Sequence, residues 1–181
     1  MKRSLFPYAT ILIILIICLS ACSPEVPAEI PALEISSPAF ENGAEIPVVY
    51  SCLGMNYSPE LVWSKGPEGT REYILILDDM DTPDGIAHWI LYNIPPEMTE
   101  LHEGISTNGI LEMGIIQGRN YLRKLGYYGP CPPIMETHRY RFTIYATDTF
   151  LTLASASKQQ VLDAIEGYIL AKGELIGTFR K

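Results

Sequence analysis

No stretch of this sequence carries a run of lysine or arginine, and its 13 basic residues face 21 acidic ones for a formal net charge of −8. Nucleic-acid binding of the usual kind needs a basic patch, so nucleic acid is not an expected partner. Broad electrostatic adhesion to anionic lipid is disfavoured for the same reason. Histidine is scarce at three residues, and the four cysteines show no zinc-ligand spacing. No metal site and no cofactor are therefore expected. The marks of common enzyme chemistries are missing too: there is no G-x-S-x-G elbow, H-E-x-x-H, P-loop or G-x-G-x-x-G turn. Asp79-Met80-Asp81 opens like a calcium loop, but Pro83 and Ile90 occupy its fifth and twelfth positions and rule it out.

The longest apolar run lies at the start. Lys2 and Arg3 precede an apolar segment from Ala9 to Leu19, followed by Leu19-Ser20-Ala21-Cys22. An apolar core of about 7–15 residues behind a basic start reads as a secretory signal and is too short for a membrane span. The Leu-Ser-Ala-Cys ending resembles a bacterial lipobox. Residues 1–21 are thus expected to be a lipoprotein signal peptide, with lipidated Cys22 anchoring an exported protein on the extracytoplasmic side of a membrane. One acyl chain holds only reversibly, whereas a multiply acylated Cys22 would hold stably. Residues 22–32 read as an extended, semi-rigid tether, with three prolines and two glutamates between Ser23 and Pro31. Removing residues 1–21 takes away Lys2 and Arg3 and no acid, which leaves 11 basic against 21 acidic groups, a charge of −10. Cys18 leaves with the signal and Cys22 carries lipid. Cys52 and Cys131 remain and can pair in an oxidising compartment; their spacing does not decide it.

Residues 33–181 make one domain of β character. Tyr73–Leu77 is a continuous apolar run, as in a strand buried on both faces. His88–Ile94 is a second strand closed by Pro95-Pro96, and Arg139–Ala146 alternates with period two. Glu45–Tyr50 and Glu60–Trp63 read as further strands. Val161, Leu162, Ile165, Tyr168 and Ile169 recur at helical spacing, with Ser157 and Gln160 as a capping box and Gly173 as the stop. Glu174–Thr178 then returns as a last strand. Strands followed by one or two late helices indicate an antiparallel β-sandwich rather than alternating βαβ units.

Alternation places the polar residues. Asp79 continues the face of Tyr73, Leu75 and Leu77; His88 shares a face with Ile90 and Tyr92; His138 and Tyr140 share one with Phe142 and Ile144. Arg139 and Arg141 fall on the opposite face, where they are expected to pair with surface acids, and Asp78 is expected to end its strand in solvent. Each candidate therefore sits at the end of an apolar row. A histidine there is commonly a hydrogen-bonded structural residue, and His88 alone would not stand out. What stands out is the order of motifs: Asp79-Met80-Asp81-Thr82-Pro83, His88-Trp89, Gly129-Pro130-Cys131-Pro132-Pro133 and His138-Arg139-Tyr140.

This order resembles the phosphatidylethanolamine-binding protein family, also called Raf-kinase-inhibitor-like proteins, and in particular its bacterial and archaeal branch. The resemblance spans Leu33 to Arg180 and implies a large antiparallel sheet packed on a smaller one with peripheral helices. It also implies a shallow pocket for phosphate, phosphoethanolamine or a phospholipid headgroup, formed here by Asp79, Pro83, His88, Gly129, His138 and Tyr140 with Asp81 in support. In such a pocket the histidines, the Tyr140 hydroxyl and backbone N–H groups near Gly129 would donate to phosphate oxygens. Asp79 would orient a histidine or receive an ammonium, and raise the histidine's pKa. Met80 and Thr82 depart from the family's usual D-P-D-A-P. Ile86 stands where an aromatic residue is often found, which leaves the aromatic wall undetermined. The chain is expected to bind without catalysis. Inhibition or regulation of a protease or kinase-like protein is the alternative function, and hydrolysis in the same pocket a further one. Some prokaryotic members dimerise, so a homodimer stays open.

Overall fold

A computed structural model of the protein describes residues 30–181. The expected signal peptide, Cys22 and the tether up to residue 29 lie outside these residues. The tether's last residues are already pinned to the domain: the Lys172 N–H donates to Pro31 O at 3.0 Å, and the Leu33 N–H to Lys172 O at 2.8 Å.

The apolar run at 73–77 becomes the inner strand of a five-stranded antiparallel sheet. In chain order the strands are β1 (Ile35–Ser36), β2 (Leu61–Trp63), β3 (Glu72–Asp79), β4 (Ala87–Ile94), β5 (Glu100–Leu101), β6 (Ile116–Gln117), β7 (Thr137–Thr147) and β8 (Ile169–Arg180). The large sheet is ordered β6-β4-β3-β7-β8, and a three-stranded sheet is ordered β1-β2-β5. One α-helix, α1 (Lys158–Ile165), covers the outer face. The protein is thus mostly β, with the two packed sheets and late helix expected from the sequence.

Every residue of β3 is buried because both of its faces are covered. Tyr73, Leu75 and Leu77 face the small sheet and pack with Phe142, Ile144, Leu61 and Trp63. Ile74 and Ile76 face the helix and pack with Ile90, Tyr92, Val161 and Ile165. Each such fully buried aliphatic side chain contributes about 1.5–3 kcal/mol.

Three local expectations are corrected. The 45–50 segment is not a strand. Glu45 makes a single bridge to Thr178, after which Pro47 caps a 3₁₀ turn at Val48–Tyr50. Proline has no N–H for a ladder and fixes φ near that of a turn. Helix α1 starts on the expected Ser157–Gln160 capping box but ends at Ile165, not before Gly173. Gly167 takes a left-handed φ of 80°, which suits glycine and stops the helix there. The last strand consequently begins at Ile169 and pairs with the full length of β7.

Candidate functional site

The central strands deliver their polar ends to one edge of the large sheet. Asp79 on β3 pairs directly with Tyr140 on β7, and His138 lies two residues before Tyr140 on the same face. There the His138 Nδ1–H donates to Asp79 Oδ2 at 2.8 Å. The second carboxylate oxygen, Oδ1, accepts the Asp81 N–H at 3.0 Å, which fixes the Asp79 rotamer.

His88 reaches the cluster by an irregularity. Strict alternation would put it beside Ile90 and Tyr92, toward the helix. Instead Leu77 pairs with Trp89 while Asp78 pairs with Ala87, so β4 carries one extra residue here. A bulge of this kind re-aims a side chain, and His88 turns to the other face, edge-on to Tyr140 with ring centroids 5.3 Å apart. Ile90 and Tyr92 remain in the helix-side core.

The surroundings of His88 and His138 bias the two rings in opposite directions. Nδ1 of His88 lies 2.9 Å from Tyr128 O and 3.1 Å from Gly129 O. Both partners are carbonyl acceptors, so Nδ1 carries the proton and Nε2 of the neutral ring is an acceptor. Burial lowers the His88 pKa, only partly offset by those carbonyls and by Asp79. Burial also opposes the charge on His138, but hydrogen bonds to Asp79 and Glu136 outweigh it and raise its pKa. The raised histidine expected from a carboxylate pair is therefore His138 and not His88. Burial, followed by the Asp79 charge, pushes the Tyr140 hydroxyl well above the ordinary tyrosine range, so it stays protonated.

A loop roofs the cluster. Tyr121 packs on the His88 ring at 4.9 Å between centroids, and Tyr128 stacks on it at 6.1 Å. These two tyrosines supply the aromatic wall that Ile86 does not; the Tyr127-Tyr128 pair beside Gly129-Pro130 was the available sequence signal. Cys52 and Cys131 are joined in a disulfide with Cα atoms 5.4 Å apart, tying the roof to the 51–57 loop. Gly129 has to be glycine, because a Cβ there would lie 2.0 Å from Tyr50 O. Its N–H is already spent on Asn56 Oδ1 at 2.7 Å, and the Cys131 N–H on the Tyr140 hydroxyl at 3.2 Å. Those backbone donors are thus satisfied within the protein, contrary to the expectation that they face a ligand.

Asp79, His88, His138, Tyr140 and the Gly129 carbonyl are brought together. Asp81 and Pro83 are not. Pro83 sits exposed in the β3–β4 turn, outside the hydrogen-bonded cluster. Asp81 forms a bidentate pair with Arg139, 2.6 Å at its shortest, and this guanidinium holds its carboxyl below the usual range despite partial burial. Thr82 stiffens the same turn, its hydroxyl donating to Asp79 O at 2.9 Å and accepting the Ile86 N–H at 3.0 Å. Asp78 does not end in solvent. It is buried against Arg141 and Lys158, each 3.0 Å away.

Comparison with known proteins agrees with this fold. Residues 36–180 match the family model for phosphatidylethanolamine-binding protein. The chain is 43% identical over 151 residues to a UPF0098 protein of Methanothermobacter thermautotrophicus, covering 82% of this chain and 99% of that one. It is 36% identical over 184 residues to the UPF0098 protein PYRAB11530 of Pyrococcus abyssi, covering 99% of each. Among solved structures, the phosphatidylethanolamine-binding protein homolog CT736 of Chlamydia trachomatis superposes with a TM-score of 0.74 at 38% identity, over 83% of this chain and 98% of that one. E. coli YbcL, described as a member of the mammalian family, gives 0.77 at 29% identity, over 82% and 98%. With the motif order, the two-sheet architecture and these matches in agreement, the chain belongs to the phosphatidylethanolamine-binding protein family.

Proposed function

We propose that the Asp79–His138–His88–Tyr140 cluster binds the phosphate group of a small molecule or phospholipid headgroup without catalysis. The protein would carry this site on the extracytoplasmic face of a membrane, anchored by lipidated Cys22. The observation that carries the reading is the pairing of a histidine biased toward its cation with one biased toward neutrality around a single buried carboxylate. A monoprotonated phosphate needs both: a cationic donor for its anionic oxygen and an acceptor for its remaining P–OH. His138 supplies the first and Nε2 of His88 the second.

His138 Nε2 now donates to Glu136 Oε2 at 3.2 Å, and that glutamate is largely solvent-exposed. A ligand oxygen can take its place by the rotation of one surface side chain. Tyr121, partly exposed, packs on the His88 ring beside this position. The anchor reading rests on the basic start, the apolar segment and the Leu-Ser-Ala-Cys ending.

Titration with phosphoethanolamine tests the reading. Saturable binding should be lost in His138→Ala and weakened in Tyr140→Phe. It should strengthen in Glu136→Gln, where the competing carboxylate is gone. Absence of binding to the folded wild type would refute it, and so would steady release of inorganic phosphate from phosphoethanolamine, since that is hydrolysis.

A further inference from the structure

A second surface feature lies away from His88 and His138. Strand β5 is at the edge of the three-stranded sheet, with β2 on one side of it only. The register pairs Leu61 with Leu101 and Val62 with Glu100, and the Trp63 N–H donates to Thr99 O at 2.8 Å. Hydrogen-bonded pairs alternate along an antiparallel ladder. Leu61/Leu101 is therefore a bonded pair and Val62/Glu100 is not, so the N–H and C=O of Glu100 point away from the sheet.

A groove of about 950 Å³ runs past this edge, with the 104–115 segment as its other wall. Its floor is apolar: Leu101 and Ile115 belong to the inter-sheet core, and Met98, Ile105 and Leu111 pack against it. Ile110 and Met113 stand at the rim, 70% and 60% exposed. Met113 is held there by a left-handed backbone with φ 57°, uncommon for a side chain of its size. The charge on the lining is one-sided. Among the described residues, Glu97, Glu100 and Glu112 line the groove and no lysine or arginine does; His102, also in the lining, already sits 3.8 Å from Glu100.

We propose that this groove docks an extended, basic segment of a partner protein, which adds to β5 as a further strand. The three features ask for one occupant. An outward-facing backbone pair recognises another backbone, the apolar floor takes every second side chain, and the glutamates take the lysine or arginine side chains between them. A lipid or a small ligand would leave the edge hydrogen bonds of β5 unused. The proposal does not depend on the phosphate reading.

The probe is a fluorescein-labelled peptide, Lys-Leu-Lys-Val-Lys-Leu-Lys, titrated into the full chain at about 0.15 M salt, where long-range attraction to an acidic protein is largely screened. Saturable binding is expected, with slowed amide exchange at residues 97–102. The exposed charge reversal Glu100→Lys with Glu112→Lys should weaken it about tenfold or more. Glu100→Gln removes only the charge, whereas Glu100→Pro also removes the outward N–H, which edge strands tolerate; the proline variant should bind clearly more weakly than the glutamine one. The idea is overturned if the peptide does not bind, if it binds the charge-reversed protein equally, or if Glu100→Pro binds as Glu100→Gln does. Equal competition by decylammonium would also overturn it, marking the groove as a site for small cationic amphiphiles.

Discussion

Asp78 and Asp79 are neighbours on one strand, each 2% exposed, yet they do different work. Asp78 faces the helix side, where Arg141 and Lys158 neutralise it with two full cations. Asp79 faces the inter-sheet side, and its charge partner is a histidine whose proton can be lost. A carboxylate tied to permanent cations is a fixed structural clamp. One tied to a titratable ring is adjustable, and that places the candidate chemistry on one face of the strand and the mechanical support on the other. Glu72, at the opposite end of the same strand, completes the comparison. Among the described residues it is buried with no cation paired to it, and one of its oxygens, Oε1, has no hydrogen-bond partner. Burial raises its pKa from 4.5 to about 7, with hydrogen bonds from the Leu151 and Asn93 region only partly opposing this.

The largest effect is expected where the clamp breaks. Asp78→Ala removes the buried carboxylate that joins two partly exposed cations and should cost about 2 kcal/mol in urea unfolding, while the protein that stays folded should still bind phosphoethanolamine. Asp79→Asn should invert this outcome. Phosphoethanolamine affinity should fall about tenfold, equivalent to about 1.4 kcal/mol, with stability changing by about 1 kcal/mol or less. If both variants lose stability equally and affinity equally, the division between the two faces is wrong.

The pH dependence gives smaller effects. The His138 pKa is raised, so its cation is fully present below its unfolded value and is lost as pH rises through the folded one. Wild-type phosphoethanolamine binding, measured by calorimetry, should therefore be tighter at pH 6 than at pH 8, and Asp79→Asn should flatten that difference. Glu72 acts on stability with the same sign. The folded chain keeps a proton that the unfolded chain releases, so stability is full below pH 4.5 and falls as pH rises toward 7. Glu72→Gln should remove this decline, a gain of about 1–2 kcal/mol at pH 8 by chemical denaturation.

Much of this was legible in the sequence, for identifiable reasons. The inner strands announce themselves because burial on both faces demands an unbroken apolar run, as in Tyr73–Leu77. The helix start was readable because Ser157 and Gln160 form a local, reciprocal cap. Its end was misplaced because Tyr168 and Ile169 extend the helical spacing past the break at Gly167. The face of His88 was not legible, since a one-residue bulge is set by pairing with β3 and leaves no trace in the period of β4. Nor were the roles of Tyr121 and Tyr128, which reach His88 from an irregular loop fixed by a disulfide 79 residues long in sequence. The burial of Asp78 is not legible either, because its partners, Arg141 and Lys158, come from distant elements.

The most direct test uses the scarcity of histidine: with three in the chain, His88, His102 and His138, imidazole NMR can follow each ring. His138 should titrate above the ordinary histidine value and His88 below it, with His88 protonated on Nδ1 when neutral. Adding phosphoethanolamine should shift His88 and His138 saturably and leave His102 still. If His88 and His138 titrate together and neither responds to the ligand, the cluster is architecture and the binding account fails.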